Sequence, residues 1–244
     1  MNRALLVLCL VLFVPVPTRA QENPLGWVNG LRQGAGAHAV AEDALLSETA
    51  RRWAETLAAA GALSHRGADG SSALDRYRAL GGTEARVGEI IGAGAGLKDV
   101  EKAWERSESH RSLSLKAYWT HAGWGRASGS PGVQVWVVVF CERLIEGLDF
   151  REAGEALEIA GRLLPAEARE PVLLSGIDRI APAAWDPGSR EFLFRLPLSA
   201  VAGYLRIGFL AAEGRLVVTN ALTWPRGKGS PGAPGRPSAP HASP

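Results

Sequence analysis

Four side chains in one stretch of this chain could do chemistry together: His65, Glu89, Ser107 and His110. Two imidazoles and a carboxylate are a donor set for zinc with water in an open fourth position. The same groups could serve as base and orienter in a hydrolase, with Ser107 as nucleophile in the sharper version. Spacing alone selects neither chemistry. The residues are far apart in sequence, unlike a His-Glu-x-x-His helix, and there is no Gly-x-Ser-x-Gly elbow. Each residue also has a plain structural reading. His65 follows a helix end at Gly61 and could be a surface or capping group. Glu89 precedes the apolar pair Ile90-Ile91, so it must be solvated, hydrogen-bonded or paired. The glycine run Gly92 to Gly96 lacks the Lys-Ser/Thr ending of a phosphate loop and reads as a connection.

The elements that must position these groups follow from the apolar pattern. Glu42 to Gly61 is the clearest helix, with Leu46, Ala50, Trp53, Leu57 and Ala60 at helical spacing and Gly61 to end it. Ser71 to Leu80 is a shorter helix with Leu74 and Tyr77 inward. A third runs from Leu97 to about Ser109, with Val100, Trp104 and Ser107 on one stripe. If it continues straight, Ser107 and His110 share a face, while Glu105 and Glu108 do not. Ala122 to Ala127 and Val133 to Cys141 flank a Ser128-to-Gly132 turn and read as a hairpin. In the second of these strands both alternating sets are apolar. Such a strand is central and covered on both faces, which implies a sheet between helices. Cys141 at its end reads as a buried small hydrophobe rather than a nucleophile. His121 belongs to the entry of the preceding strand, and His38 and His241 have no evident partner.

Bulk properties narrow the setting. Arg3, the apolar stretch Ala4 to Val16 and the small residues around Ala20 have the form of a secretory leader, with cleavage expected before Gln21. Cys9 is not expected to carry a lipid, because apolar residues continue beyond it. The chain has 27 Lys+Arg against 25 Asp+Glu, and loss of Arg3 and Arg19 with the leader makes the two equal. A near-neutral mature chain without clustered cations gives no footing for nucleic acid. No later segment has the roughly 18 apolar residues of a membrane span. Removal of Cys9 leaves Cys141 alone, so no internal disulfide is expected and packing must hold the fold.

Four segments are expected: a leader at 1–20, a first domain at 21–144, an all-β module at 145–225, and a tail at 226–244. In the module, Leu157-Ile159-Gly161-Leu163 and Phe192-Phe194-Leu196 alternate. Tyr204 to Phe209 and Arg215 to Asn220 follow around a Glu213-Gly214 turn. Short strands at this spacing suggest a small sandwich, although Arg151 to Leu164 could instead be a helix. The tail is rich in Pro, Gly, Ser and Ala and has too little apolar content to fold.

Asn29 to Cys141 resembles the bacterial branch of the cysteine-rich secretory protein, antigen 5 and pathogenesis-related protein superfamily, the CAP or SCP-like domain. The stretches that carry the resemblance occur in family order. They are Asn29-Gly30-Leu31-Arg32, Glu42 to Leu45 with Ala50, Leu63-Ser64-His65, Asp75-Arg76, Gly88-Glu89, Trp104 with Ser107 and His110-Arg111, and Thr120 to Gly125. The resemblance implies an α-β-α sandwich and a cleft lined by two His and two Glu. His65, Glu89 and His110 match three of those positions. Ser107 stands where the second Glu would be, and Ile90 where an Asn is usual. A metal at His65, Glu89 and His110 would therefore be weakly held, with Zn²⁺ as the ion and no other cofactor implied. The module after the matched region would be an appended immunoglobulin-like sandwich.

The chain is thus expected to be α+β, with a CAP-like α-β-α sandwich followed by a small β-sandwich. Its expected function is that of a secreted or cell-envelope binding protein, presenting a His/Glu-lined cleft to an extracellular protein, peptide, lipid or envelope ligand. The alternative is a secreted peptidase or lipid hydrolase using the same cleft. A third reading makes the β module an envelope attachment and the first domain its cargo. Fold alone does not choose among them.

Overall fold

The computed structural model describes residues 22–201 and 203–225. The expected leader, its cleavage point, Cys9, His241 and the tail lie outside the described residues.

The first half alternates helices and strands, each with a local cause. Asn23 starts α1 (Pro24–Gly34) by accepting a hydrogen bond from the Leu25 amide, with Pro24 in the first turn. The apolar pattern of the sequence had not announced this helix. A two-residue strand β1 (Ala41–Glu42) follows. Asp43 caps α2 (Ala44–Ala60), which closes on Gly61 at φ 65°. Ser72 and Asp75 form a reciprocal capping box on α3 (Ala73–Ala79). Then come β2 (Val87–Gly94), α4 (Leu97–Arg106), α5 (Glu108–Ser114), β3 (His121–Ser128) and β4 (Gln134–Cys141). The single helix expected from Leu97 to Ser109 is therefore two helices. Ser107 interrupts them with φ −87° and ψ 114°. A serine side chain competes for backbone hydrogen bonds and favours helix ends over interiors.

These strands make one sheet in the order β1-β3-β4-β2. β4 is central, as its two apolar faces require. Trp136, Val138 and Phe140 pack with Val28 of α1 and Val100 and Trp104 of α4. Val135, Val137, Val139 and Cys141 pack with Leu46, Trp53 and Leu57 of α2 and Tyr77 of α3. Truncating one of the large fully buried side chains to alanine, such as Trp136, would cost about 3–5 kcal/mol. The Gly-Trp-Gly run in β3 has a packing cause. A Cβ on Gly123 would sit 2.1 Å from the Ser47 amide nitrogen, and one on Gly125 would sit 2.2 Å from the Arg51 Cα. Only glycine lets the α2 backbone lie this close to the sheet.

The second half is strands with two short 3-10 turns (Leu198–Ala200 and Ala212–Gly214): β5 (Ile145–Ala153), β6 (Ala156–Leu163), β7 (Glu170–Ser175), β8 (Asp178–Ile180), β9 (Ala184–Asp186), β10 (Glu191–Pro197), β11 (Tyr204–Leu210) and β12 (Leu216–Thr223). The helix considered over Arg151 to Leu164 is absent. That segment is the β5-β6 hairpin, turning at Gly154 with φ 63°. The strands form two sheets, ordered β5-β6-β10-β9 and β12-β11-β7-β8. Leu157, Ile159, Phe192 and Phe194 from one sheet share a core with Leu173, Leu205, Ile207 and Phe209 from the other.

The halves meet at an edge. β12 ends its sheet, and an uncovered edge strand exposes unpaired backbone groups. Here Thr83, Glu84 and Ala85 cover it. Ala85 N donates to Thr219 O at 2.8 Å and Ala221 N to Thr83 O at 2.7 Å. The Asn220 side chain donates to Thr83 Oγ1 at 2.9 Å.

Candidate functional site

Glu89 sits on β2 opposite Val139, on the sheet face covered by α2 and α3. Its side chain is 4% exposed, so its charge needs partners. It has two. His65 Nδ1 lies 2.9 Å from Oε1, and Arg76 Nη2 donates to Oε2 at 2.8 Å. The Glu89 bond fixes Nδ1 of His65, whose side chain is otherwise 59% exposed, so the imidazole is oriented yet open to solvent. That bond raises the His65 pKa above its ordinary 6.5; partial burial and the Arg76 charge oppose the rise.

Arg76 was not singled out by spacing as a site residue. The capping box at Ser72 and Asp75 starts the helix that carries it, and its guanidinium lies 3.7 Å from the centre of the Trp53 ring. Nη1 also donates to Ser71 O at 3.0 Å. The signal available was Arg76 beside Asp75 in the resemblance, but an arginine one position after a capping aspartate reads as helix surface. Beside Arg76, a cavity of about 440 Å³ opens between α2 and α3, lined by residues including Thr49, Trp53, Asp69 and Leu80.

His110 lies on α5. Burial lowers its pKa and the His65 charge lowers it further. Its Nδ1 is buried without a hydrogen-bond partner. The α5 C-terminus is anchored from α1. Arg32, fully buried, donates to the carbonyls of Ser114 at 2.7 Å, Lys116 at 3.0 Å and Trp119 at 3.1 Å. Ser107 does not join His110 on one helical face, because the chain breaks between α4 and α5 at Ser107 itself. Its hydroxyl shares a 3.0 Å hydrogen bond with the Ser109 hydroxyl. Cys141 is fully buried, and burial pushes its thiol far above the ordinary range, so it is no nucleophile. His121 shares a 2.9 Å contact with Thr120 Oγ1.

A divalent metal at His65, Glu89 and His110 does not fit this arrangement. Among the described residues, no three His, Cys, Asp or Glu side chains are grouped to hold one. Each Glu89 oxygen is already engaged, one of them by a guanidinium.

Residues 25–140 match the family model of the cysteine-rich secretory protein family, CAP. The chain carries a CAP domain. Its fold is similar to an outer surface protein of Borrelia burgdorferi, at 22% identity over 49% of this chain and 89% of that one, TM-score 0.46. It is also similar to an extracellular SCP-domain protein of Bacillus anthracis, at 20% identity over 48% of this chain and 38% of that one, TM-score 0.41. A cysteine-rich secretory protein of Staphylococcus aureus matches at 16% identity over 51% and 40%, TM-score 0.41. No curated protein sequence matches the chain. His65, Glu89 and His110 all lie within the CAP match, whereas β5 to β12 lie beyond it. Among the described residues no helix is long and apolar enough to cross a membrane.

Proposed function

We propose that this is an exported CAP-domain protein that acts by binding, with the His65–Glu89 cleft as its recognition site. The observation that carries this reading is the commitment of Glu89. A carboxylate neutralised by Arg76 and tied to His65 is poorly placed to serve as a general base. Ser107 is bonded to Ser109 rather than to an imidazole, so it is not paired with a base. What the site offers is an oriented, exposed imidazole, with a cavity beside its neighbour Arg76, which suits recognition of a hydrogen-bonding group on an extracellular peptide, protein, lipid or envelope ligand.

Residues 145–225 supply the second surface in this reading. Lettered in chain order, their sheets run A-B-E-D and G-F-C with one further strand beside C, the order of an immunoglobulin-like sandwich. Export rests on the leader at 1–20.

The competing hydrolase reading makes a clear demand. The full chain is assayed against p-nitrophenyl acyl esters and a casein substrate, alongside Ser107→Ala, His65→Ala and His110→Ala. Binding predicts no turnover that these substitutions remove. Turnover lost in both Ser107→Ala and His110→Ala would reinstate the hydrolase. In parallel, NMR titration with short carboxylate, phosphate and peptide probes should move the His65 ring signals first, and His65→Ala should abolish the response.

A further inference from the structure

The geometry points to Arg76 as a resident cation of the cleft: its guanidinium occupies the charge position on Glu89 that a divalent metal would need, and so keeps metal out. The inference concerns the same cleft and rests on its reading as a recognition site, but its readout is metal affinity, which the turnover assays do not measure. Four contacts fix the guanidinium. Nη2 donates to Glu89 Oε2 at 2.8 Å, Nη1 donates to Ser71 O at 3.0 Å and approaches His65 O at 3.5 Å, and the ring of Trp53 lies 3.7 Å below. Arg76 is itself 13% exposed at the side chain, so these contacts are poorly screened. A planar guanidinium satisfies a carboxylate and an aromatic face together, which an ammonium does not do as well.

The consequence for Glu89 is electrostatic. A metal ion approaching its oxygens would meet a positive charge already in contact with one of them, and would have to expel it from a hydrogen-bonded, stacked seat. Weak metal binding at this site would then have its main cause in Arg76 rather than in Ser107. Ser107→Glu alone would not create a site. It would place a carboxylate at the α4–α5 break while Glu89 stayed engaged.

The test is a Zn²⁺ titration of the full chain by calorimetry at neutral pH, with folding checked by circular dichroism. Arg76→Gln should bind Zn²⁺ at least tenfold more tightly than wild type, and adding His65→Ala should remove the gain. Arg76→Lys, which keeps a cation, should stay within a few-fold of wild type. A folded Arg76→Gln with no gain, or an equal gain in Arg76→Lys, overturns the inference. If Arg76→Gln does not fold, wild type decides. Zinc binding by wild type that Glu89→Gln or His65→Ala weakens tenfold overturns it, and wild-type zinc affinity indifferent to both is the expected result.

Discussion

Two buried glutamates, five residues apart in sequence, are held in nearly the same way and end in opposite environments. Glu89 meets Arg76 and His65. Glu84, 5% exposed, accepts from Tyr77 at 2.5 Å and from Arg143 Nε at 2.7 Å. Arg76 and Tyr77 are neighbours on α3, so one short helix supplies an arm to each carboxylate. At Glu84 the phenol is enclosed and the guanidinium is partly so, 27% exposed at its side chain. Tyr77 is 1% exposed, and burial followed by the Glu84 charge pushes its phenol far above its ordinary pKa. Arg143 goes on to bond Asp43, the cap of α2, at 2.9 Å. Glu84 therefore ties α3, α2 and the segment leading into β5, while its backbone neighbours pair with β12. At Glu89 one of the two partners is an imidazole open to solvent. A closed cluster can only hold the fold together, whereas an open one can also respond to a ligand or to pH.

The sharpest way to break this comparison is to delete each carboxylate. Glu84→Ala strands a buried phenol and an arginine that are fully engaged in the wild type, and should cost about 3–5 kcal/mol in urea unfolding. Tyr77→Phe removes one hydrogen bond to a charged acceptor and should cost about 1.5–3 kcal/mol. Glu89→Gln keeps an acceptor for Arg76 and frees an already exposed His65, so about 1 kcal/mol is expected. If Glu89→Gln proves as costly as Glu84→Ala, the cleft is a structural cluster and its reading as a recognition site falls.

The same contrast explains what could be read from the sequence. β4 announced itself because both of its alternating faces are apolar, and that alone implied a covered central strand. Gly123 and Gly125 were visible as a motif, but their role depends on how close the α2 backbone comes, which spacing does not encode. His65 and Glu89 were legible as chemistry-bearing types and they do meet. The expected joining of Ser107 with His110 failed, because a helical stripe cannot show that a serine will end one helix and precede another. Arg76 and Glu84 were silent for a related reason. An arginine on a short helix and a glutamate in a glycine-flanked loop look like solvated charges until tertiary contacts bury them. α1 was hidden because Gly26, Gly30 and Gly34 lower its helix propensity, and its cap at Asn23 is a single residue.

The smallest expected effect is also the most specific to the open cluster, because it depends on the sign of two histidine shifts. His65 has a folded pKa above 6.5, so its contribution to stability is fully present below about 6.5 and is lost as pH rises through the folded value. His110 has a folded pKa below 6.5, so its contribution is present above about 6.5 and is lost as pH falls through the folded value. The two histidines should therefore tilt stability in opposite directions. Urea midpoints measured from pH 5 to pH 8 should show the gap between wild type and His65→Ala narrowing as pH rises, and the gap for His110→Ala widening. His121, near Arg143, is lowered by burial and then by the Arg143 cation, and tilts in the same sense as His110. It is present in both variants and cancels from each difference. Because His65 is more than half exposed, its slope should be shallow and should weaken further in salt if charge rather than geometry sets it. Parallel slopes for the two variants would mean that Glu89 does not hold His65 in solution, and the difference between the two glutamates would then reduce to burial alone.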